Sequence, residues 1–424
     1  MHRSILPRGA APSADLATVV TGSSSRFHRH PSPSPGCGRV RADGGGPTSR
    51  CPGTTERCTG ARAGARAPAG HDGGPGPGTG TAPDWCGIRR SGGATVELGI
   101  DLGTARTVVS DVRRGIVFDE PTVMLLRRGA SRREQILAVG QEAADLIGRA
   151  PSRYTAVRPL HDGVVTDLET ARQYLRAVLQ KAGRRAWGGG VRAVIGVPVG
   201  STALEHRALL EAAEEAGVRP VTALDEAIAG AVGCGIDPLE RRVHLVVDVG
   251  AGTAEAVAFC YGGVLAHRTS KLGGDEMTLA VSRYLREQHQ LHVGEHEAEG
   301  LKIRSGTEDE GPLVVQGRDA GTGRPRLATI QAAEVADAVR PLVDEIVRTL
   351  AGCLDDLPPQ AIADVLAEGV LAFGGASRAH GFPEELERAL GLPVKLAEDP
   401  VTCVADGAAR AVRNRPLLAA YGRG

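Results

Sequence analysis

Apolar runs broken by tight glycine turns recur along this chain, and two of the breaks look alike. In ELGIDLGTARTVVSDV an apolar run ends at Asp101-Leu102-Gly103-Thr104 and a second run follows. Further along, HLVVDVGAGTAEAVAF repeats the arrangement around Asp248-Val249-Gly250-Ala251-Gly252-Thr253. A turn-like RRG follows the first unit and YGG the second. Each unit therefore predicts strand, tight turn, strand. Around them, residues 96–128 predict three strands, VELGID, TVVSDV and IVFDEPTVMLL. Residues 166–183 have helical spacing behind a Thr/Asp start, and RAVIGVPVG reads as a buried strand. LEHRALLEAAEEAGV and DEAIAGAVGCG predict helices, as does GGDEMTLAVSRYLREQHQ with Gly274-Asp275 at its start. AAEVADAVRPLVDEIVRTLAGCLDDL predicts a long helix interrupted at Pro341. GVLAFGGAS reads as strand and glycine turn, FPEELERALGL as a helix entered through a Pro, and VTCVADGAARAV as the closing helix. Hairpin strands followed by helices, twice over, predict two similar α/β domains with mixed sheets.

Composition changes this picture at one end only. The chain has 424 residues, enough for two domains, with 42% hydrophobic residues and zero formal net charge. Zero net charge gives no support for nucleic-acid binding by the chain as a whole. Aromatics are only 3%, so the core must be built from Ala, Val and Leu. Residues 1–94 stand apart: they are rich in Gly, Pro, Ser and Arg, hold no Lys and show no sustained period. With 12 Arg against 5 acidic residues they carry about +7, leaving the remainder acidic. PSPSPG and DGGPGPGTGT cannot bury a core. The segment reads either as a disordered tail or as translated upstream sequence ahead of a start at Val96. Its cysteines, Cys37, Cys51, Cys58 and Cys86, form no CxxC pair, which argues against zinc. Cys234, Cys260, Cys353 and Cys403 stand in apolar contexts and read as small buried thiols. No apolar run approaches the roughly 18 residues of a membrane-spanning helix.

The two turns carry the candidate chemistry. Glycine lets backbone N–H groups approach an anion, and the Thr hydroxyl adds a donor. An Asp at a strand end can hold a hydrated Mg²⁺, which keeps most of its waters and takes few carboxylates. An ordinary hairpin explains either turn alone equally well. Two such units facing each other favour a duplicated clamp for a nucleoside triphosphate, with Asp101 and Asp248 positioning Mg²⁺ through water.

At this point the chain resembles the MreB-like proteins, the bacterial actin-like rod-shape family. DLGTART, VRPLHDGVVTD, VPVGSTALEHRALLEAAEEAG, LDEAIAGAVGCG, VVDVGAGTAE, KLGGDE, EGLK, AFGGAS and AEDPVTCVADG occur in the family's order. Phosphate turns alone would suit the wider superfamily of actins, sugar kinases and DnaK-type chaperones. The VPxGST segment and the EDPxTCVAxG ending are specific to MreB-like proteins. The resemblance implies an actin-like ATPase fold, two RNase H-like domains with mixed sheets flanking a nucleotide cleft. It places domain I at 96–240, domain II at 241–415 and a tail at 416–424. It further implies ATP and Mg²⁺ as cofactors and a cytoplasmic, membrane-associated protein. That protein polymerises head to tail on the inner membrane, hydrolyses ATP slowly and works with cell-wall synthesis proteins.

Residue by residue, the resemblance gives Gly103, Thr104, Ala105, Arg106, Gly250, Ala251, Gly252 and Thr253 to the phosphates. It gives Glu226 the catalytic role of orienting the attacking water, helped by Thr253, with Asp225 as the substitute. Glu226 also reads as an ordinary acidic residue in a helix first turn. Glu299, Lys302, Gly374, Gly375 and Ala376 fall on the adenosine side. Glu299 and Lys302, three apart, share a helix face and could equally be an ion pair. The chain departs from the family at Arg106, commonly Asn, where an Arg could meet a phosphate or crowd the turn. It departs again at Ala251, Ala254, Ala227 and Ala376, changes that burden hydrolysis more than ATP binding. Arg184, Arg185 and Trp187, in RRAWGGG, suit a lipid interface, though the Trp could equally fold back onto its domain. A small-molecule kinase and a chaperone fit less well, because neither a sugar-binding insertion nor a substrate domain after residue 415 is apparent. A divergent ATP-binding paralogue that acts as a scaffold without polymerising is the nearer alternative.

Overall fold

The computed structural model describes residues 95–127, 135–183, 189–306 and 311–423. The first half runs through strands β1 (Val96–Leu102), β2 (Arg106–Asp111), β3 (Gly115–Pro121), β4 (Met124–Arg127) and β5 (Gln135–Val139), then the short helix α1 (Gln141–Ala144). It continues through β6 (Tyr154–Val157), β7 (Leu160–His161), β8 (Val164–Val165), α2 (Leu168–Lys181), β9 (Val191–Val197), α3 (Ala203–Ala216), β10 (Val221–Asp225) and α4 (Glu226–Gly233). The second half holds β11 (His244–Val249), β12 (Ala254–Cys260), β13 (Gly263–Ser270), α5 (Gly274–Gln288), β14 (Leu291–His292), α6 (Glu295–Ser305), β15 (Pro312–Asp319) and β16 (Pro325–Gln331). Then come α7 (Ala332–Ala351), α8 (Pro359–Glu368), β17 (Val370–Phe373), α9 (Phe382–Leu390), β18 (Val394–Leu396), α10 (Cys403–Ala411) and α11 (Arg415–Tyr421).

The repeat seen in the sequence is a repeat of topology. One five-stranded sheet has the order β3-β2-β1-β9-β10 and the other β13-β12-β11-β17-β18. In each, the first strand pairs antiparallel with the second and parallel with a strand that returns after a helical crossover. Both outer hairpins also carry a register shift, at Val109/Ser110 and at Ala258/Phe259. A bulge at the same place in both twists each hairpin alike. The remaining strands form small sheets, β5-β4-β6, β14-β15-β16 and β7-β8.

Three apolar clusters hold this together. One packs α2 and α3 on the first sheet, around Leu98, Ile100, Tyr174 and Ile195. The second packs α5, α6, α7 and α9 on the other sheet, around Met277, Val281, Ile346 and Phe382. The third joins the two through α4 and α10, with Ala227, Ile228, Phe259, Phe373, Val404 and Ala408. Late in sequence, α10 returns to pack on α4, β1 and β9. Small Ala side chains on both helices let them approach closely, and the few aromatics are spent inside, with Tyr174, Phe259, Phe373 and Phe382 fully buried.

Most elements follow their pattern. Asp167 caps α2 by accepting from the Thr170 N–H at 2.8 Å, and Thr202 with Glu205 forms a capping box on α3. Four expectations change. IVFDEPTVMLL is two strands in two sheets, because Pro121 ends β3 and the Thr122 N–H turns to the Ala105 carbonyl at 2.8 Å. Pro341 does not interrupt α7, which runs unbroken for 20 residues. A mid-helix Pro costs about 3 kcal/mol; the apolar stripe of Val335, Val339, Val343, Ile346, Val347 and Leu350, buried on both sides of it, offsets that loss. VTCVADGAARAV is followed by a further helix, α11. Of the four thiols, Cys353 and Cys403 are buried, but Cys234 is exposed and Cys260 half-buried.

Candidate functional site

The two glycine turns face each other. In the first, the Gly103 N–H donates to the Arg106 carbonyl at 3.1 Å; in the second, the Gly250 N–H donates to the Thr253 carbonyl at 2.8 Å. Thr104, buried in the first turn, accepts from the Gly163 N–H at 2.8 Å. An added Cβ on Gly252 of the second turn would lie 2.9 Å from that Thr104 Oγ1 and 2.6 Å from the Asp162 Cα. Both turns and the β7–β8 loop therefore converge, and only glycine fits at 252. Thr122 braces the first turn from below, its hydroxyl donating to the Gly103 carbonyl at 2.7 Å. The second turn leans on the start of α5, where the Gly274 and Asp275 N–H groups donate to the Gly250 and Ala251 carbonyls at 3.0 and 2.9 Å.

Three carboxylates crowd this place, with Asp119 and Glu255 near them. Asp101 and Asp248 are each the next-to-last residue of their strand, β1 and β11, just before its turn. Glu226 opens α4 and its Cγ lies over Gly196 of β9, 3.0 Å from where a Cβ there would sit. Burial, with the charge of Asp119, pushes the Asp101 carboxyl up to about 7. Burial, then Asp101 and Asp248, drives Glu226 well above the usual carboxylate range. Burial, then Asp101 and Glu255, does the same to Asp248. Glu226 thus feels both aspartates and Asp248 feels Asp101, so negative charge accumulates in the cleft. That is the environment a divalent cation relieves. Among the described residues no cluster of three or more side chains could ligate a metal directly; a hydrated Mg²⁺, which takes few carboxylates, asks less of Asp101 and Asp248.

Of the residues expected on the adenosine side, Glu299, Lys302 and Ala376 gather around the start of α5. Lys302 is buried; its Nζ donates to the Gly274 carbonyl at 2.7 Å and the Thr278 hydroxyl at 3.0 Å, and pairs with Glu299 at 2.6 Å. The Glu299–Lys302 pair is therefore an internal brace as well as an ion pair. Ala376 lies beside Gly274. Gly374 has φ 83°, and a Cβ there would sit 2.3 Å from Asp248 Oδ1 and 2.4 Å from the Val249 carbonyl oxygen. Only glycine permits that left-handed turn against a cleft carboxylate.

Arg106 finds a partner within the protein. Its guanidinium is held by the Asp119 carboxylate on β3 and donates to the Asp119 carbonyl at 3.2 Å. Asp225, the substitute for Glu226, pairs with Arg423 at 3.0 Å. Arg184, Arg185 and Trp187 lie outside the described residues, as do residues 1–94. Two participants escaped the sequence reading, Asp119 and Glu255. Buried Glu255 accepts from the Val199 and Gly200 N–H groups at 2.9 and 3.2 Å and from the Thr269 hydroxyl at 3.2 Å. It pins the VPVGS loop to β12. Its signal was an acidic residue within an otherwise apolar strand, directly after the second turn.

Two RNase H-like sheets of the same topology, with facing phosphate-type turns between them, define the actin-like fold. The family model of the MreB/Mbl protein matches residues 95–419. The chain belongs to the MreB/Mbl family. It is 34% identical over 315 residues to the cell shape-determining protein Mbl of Bacillus cereus, covering 73% of this chain and 94% of that one. It is 33% identical over 322 residues to the cell shape-determining protein MreB of Escherichia coli K12, covering 74% and 93%. Among solved structures, MreB5 of Spiroplasma citri bound to ADP superposes with a TM-score of 0.71 at 26% identity, covering 77% of this chain and 98% of that one. The MamK double helical filament superposes with a TM-score of 0.63 at 25% identity, covering 75% and 98%. No helix among the described residues is long and apolar enough to cross a membrane.

Proposed function

We propose that this protein is a cell shape-determining actin homologue that binds ATP with Mg²⁺ in the cleft, hydrolyses it slowly and polymerises head to tail. The observation that carries the reading is the pair of facing turns with Asp101, Asp248 and Glu226 between them. The backbone of residues 103–106 and 250–253 takes the phosphates, and Asp101 and Asp248 hold the hydrated cation. Bound Mg²⁺ neutralises phosphate charge. Glu226, with Thr253, orients the attacking water. Glu299, Lys302 and the 374–376 turn support the adenosine. Two relatives lend weight: MreB5 of Spiroplasma citri has been solved with ADP and with AMPPNP, and MamK as a double helical filament.

In this reading the filament lies in the cytoplasm, along the inner membrane, and organises cell-wall synthesis. Arg184, Arg185 and Trp187 supply a contact that is weak singly and strong by repetition. The sequential division into domain I (96–240) and domain II (241–415) serves as the frame for closure around nucleotide. The test is sedimentation and electron microscopy of the full chain with ATP, ADP or neither, beside Asp248→Ala. Filaments that need nucleotide and vanish in Asp248→Ala support the reading. Tight MgATP binding without filaments would move the assignment to a non-polymerising scaffold.

A further inference from the structure

Asp225 stands at the N-cap position of α4, immediately before Glu226, yet it makes no capping hydrogen bond. This is unusual chemistry for an Asp, which ordinarily accepts from the N–H groups of its own helix's first turn. Its carboxylate turns instead to Arg423, whose Nη2 donates to Oδ2 at 3.0 Å. Asp225 is 1% exposed, and its Oδ1 is buried without a hydrogen-bond partner. Arg423 is carried there by a built docking. Its N–H and carbonyl both bond Ala223 of β10, at 2.9 and 2.8 Å, extending the first sheet by one residue. Gly422 makes the approach possible: a Cβ there would sit 2.4 Å from the Leu418 carbonyl oxygen and 3.1 Å from Thr222. This segment lies beyond residues 95–419 matched to the family.

We propose that Arg423 is a positioning residue for hydrolysis, holding the Asp225 carboxylate away from the first turn of α4 so that Glu226 alone presents a carboxylate there. Without the guanidinium, Asp225 is a buried carboxylate that has lost its hydrogen-bonded cation, with only the more distant charge of His267 acting on it, and the donors an N-cap Asp ordinarily takes are the N–H groups of Ala227 and Ile228. Turning to cap them would bring a second negative charge beside Glu226 and shift the helix start that aims it. The inference rests on the proposal that Glu226 orients the attacking water.

The experiment compares the full chain with Arg423→Ala, Arg423→Lys and the double variant Asp225→Asn/Arg423→Ala. Phosphate release gives kcat and KM for ATP, and hydrogen exchange follows the amides of Ala227 and Ile228. Arg423→Ala should lower kcat about tenfold with KM changed less than about twofold, the split expected when aim and not binding is lost. Arg423→Lys should retain most activity. Asp225→Asn in the Ala background should restore it, because a neutral amide needs no cation. Exchange at Ala227 and Ile228 should slow in Arg423→Ala alone. An unchanged kcat in Arg423→Ala, or a double variant no better than the single one, overturns the proposal. If the wild type binds ATP but releases no phosphate, the hydrolysis reading itself has failed. The exchange data then decide the latch, and unchanged exchange in Arg423→Ala overturns it.

Discussion

Replacing Asp101 with Asn removes one charge from the cleft and keeps the side chain's size. Burial, with the charge of Asp119, pushes this carboxyl from 3.8 up to about 7 in the folded protein. Between those values the folded state keeps a proton that the unfolded chain has released, so stability falls as pH rises through that window. The loss is absent below about 3.8 and complete above about 7. A difference of about three pH units at about 1.4 kcal/mol each gives a ceiling of about 4 kcal/mol. Solvent on the open side of Asp101 should reduce this to about 2 kcal/mol. Urea unfolding of the nucleotide-free chain should therefore show Asp101→Asn more stable than wild type at about pH 8. At about pH 5 the gain should fall below half, because wild-type Asp101 is then mostly protonated when folded. The same variant should lose the stabilisation that saturating MgATP gives wild type, about 2.7 kcal/mol at a hundredfold excess over Kd. A gain equal at both pH values, or none at pH 8, would refute the charged-cleft reasoning.

Glu226→Ala should cut the rate of phosphate release by about a hundredfold while changing ATP affinity little, since a water-orienting carboxylate acts mainly in the transition state; a matched loss of both would make it a binding residue. Gly374→Ala should abolish the MgATP-dependent rise in melting temperature and destabilise the apo protein by more than about 2 kcal/mol, because its Cβ would meet Asp248 Oδ1 at 2.3 Å at φ 83°; a normal thermal shift contradicts this. Cys234 should alkylate first among Cys234, Cys260, Cys353 and Cys403 in the native protein: the Cys403 thiol beside it, then the Arg410 cation, hold it below the ordinary thiol range, whereas burial raises Cys353 to about 11. Peptide mapping after brief iodoacetamide treatment reads this, and earlier labelling of Cys353 would contradict it.

What the sequence determined by itself was local and periodic. Continuous apolar runs on both sides of Asp101-Leu102-Gly103 and Asp248-Val249-Gly250 specify strand, turn, strand wherever they stand, because the runs and the glycines act within a few residues. The duplication was legible for the same reason, and with it the α/β class and the turn residues. The Thr/Asp start at residues 166–167 likewise marked a helix without tertiary help, Asp167 being its cap. Tertiary structure decided what depends on long-range neighbours. Pro341 stays inside α7 because buried contacts on both sides outweigh a local cost that sequence alone records. IVFDEPTVMLL divides between two sheets because Thr122 bonds the first turn, a partner 17 residues earlier in the chain. Arg106 faces Asp119 and Asp225 faces Arg423, pairings that no spacing rule contains. The raised carboxyls of Asp101, Asp248 and Glu226 exist only in the folded protein, where burial acts first on all three, then Asp119 on Asp101, and Asp101 on Asp248 and Glu226.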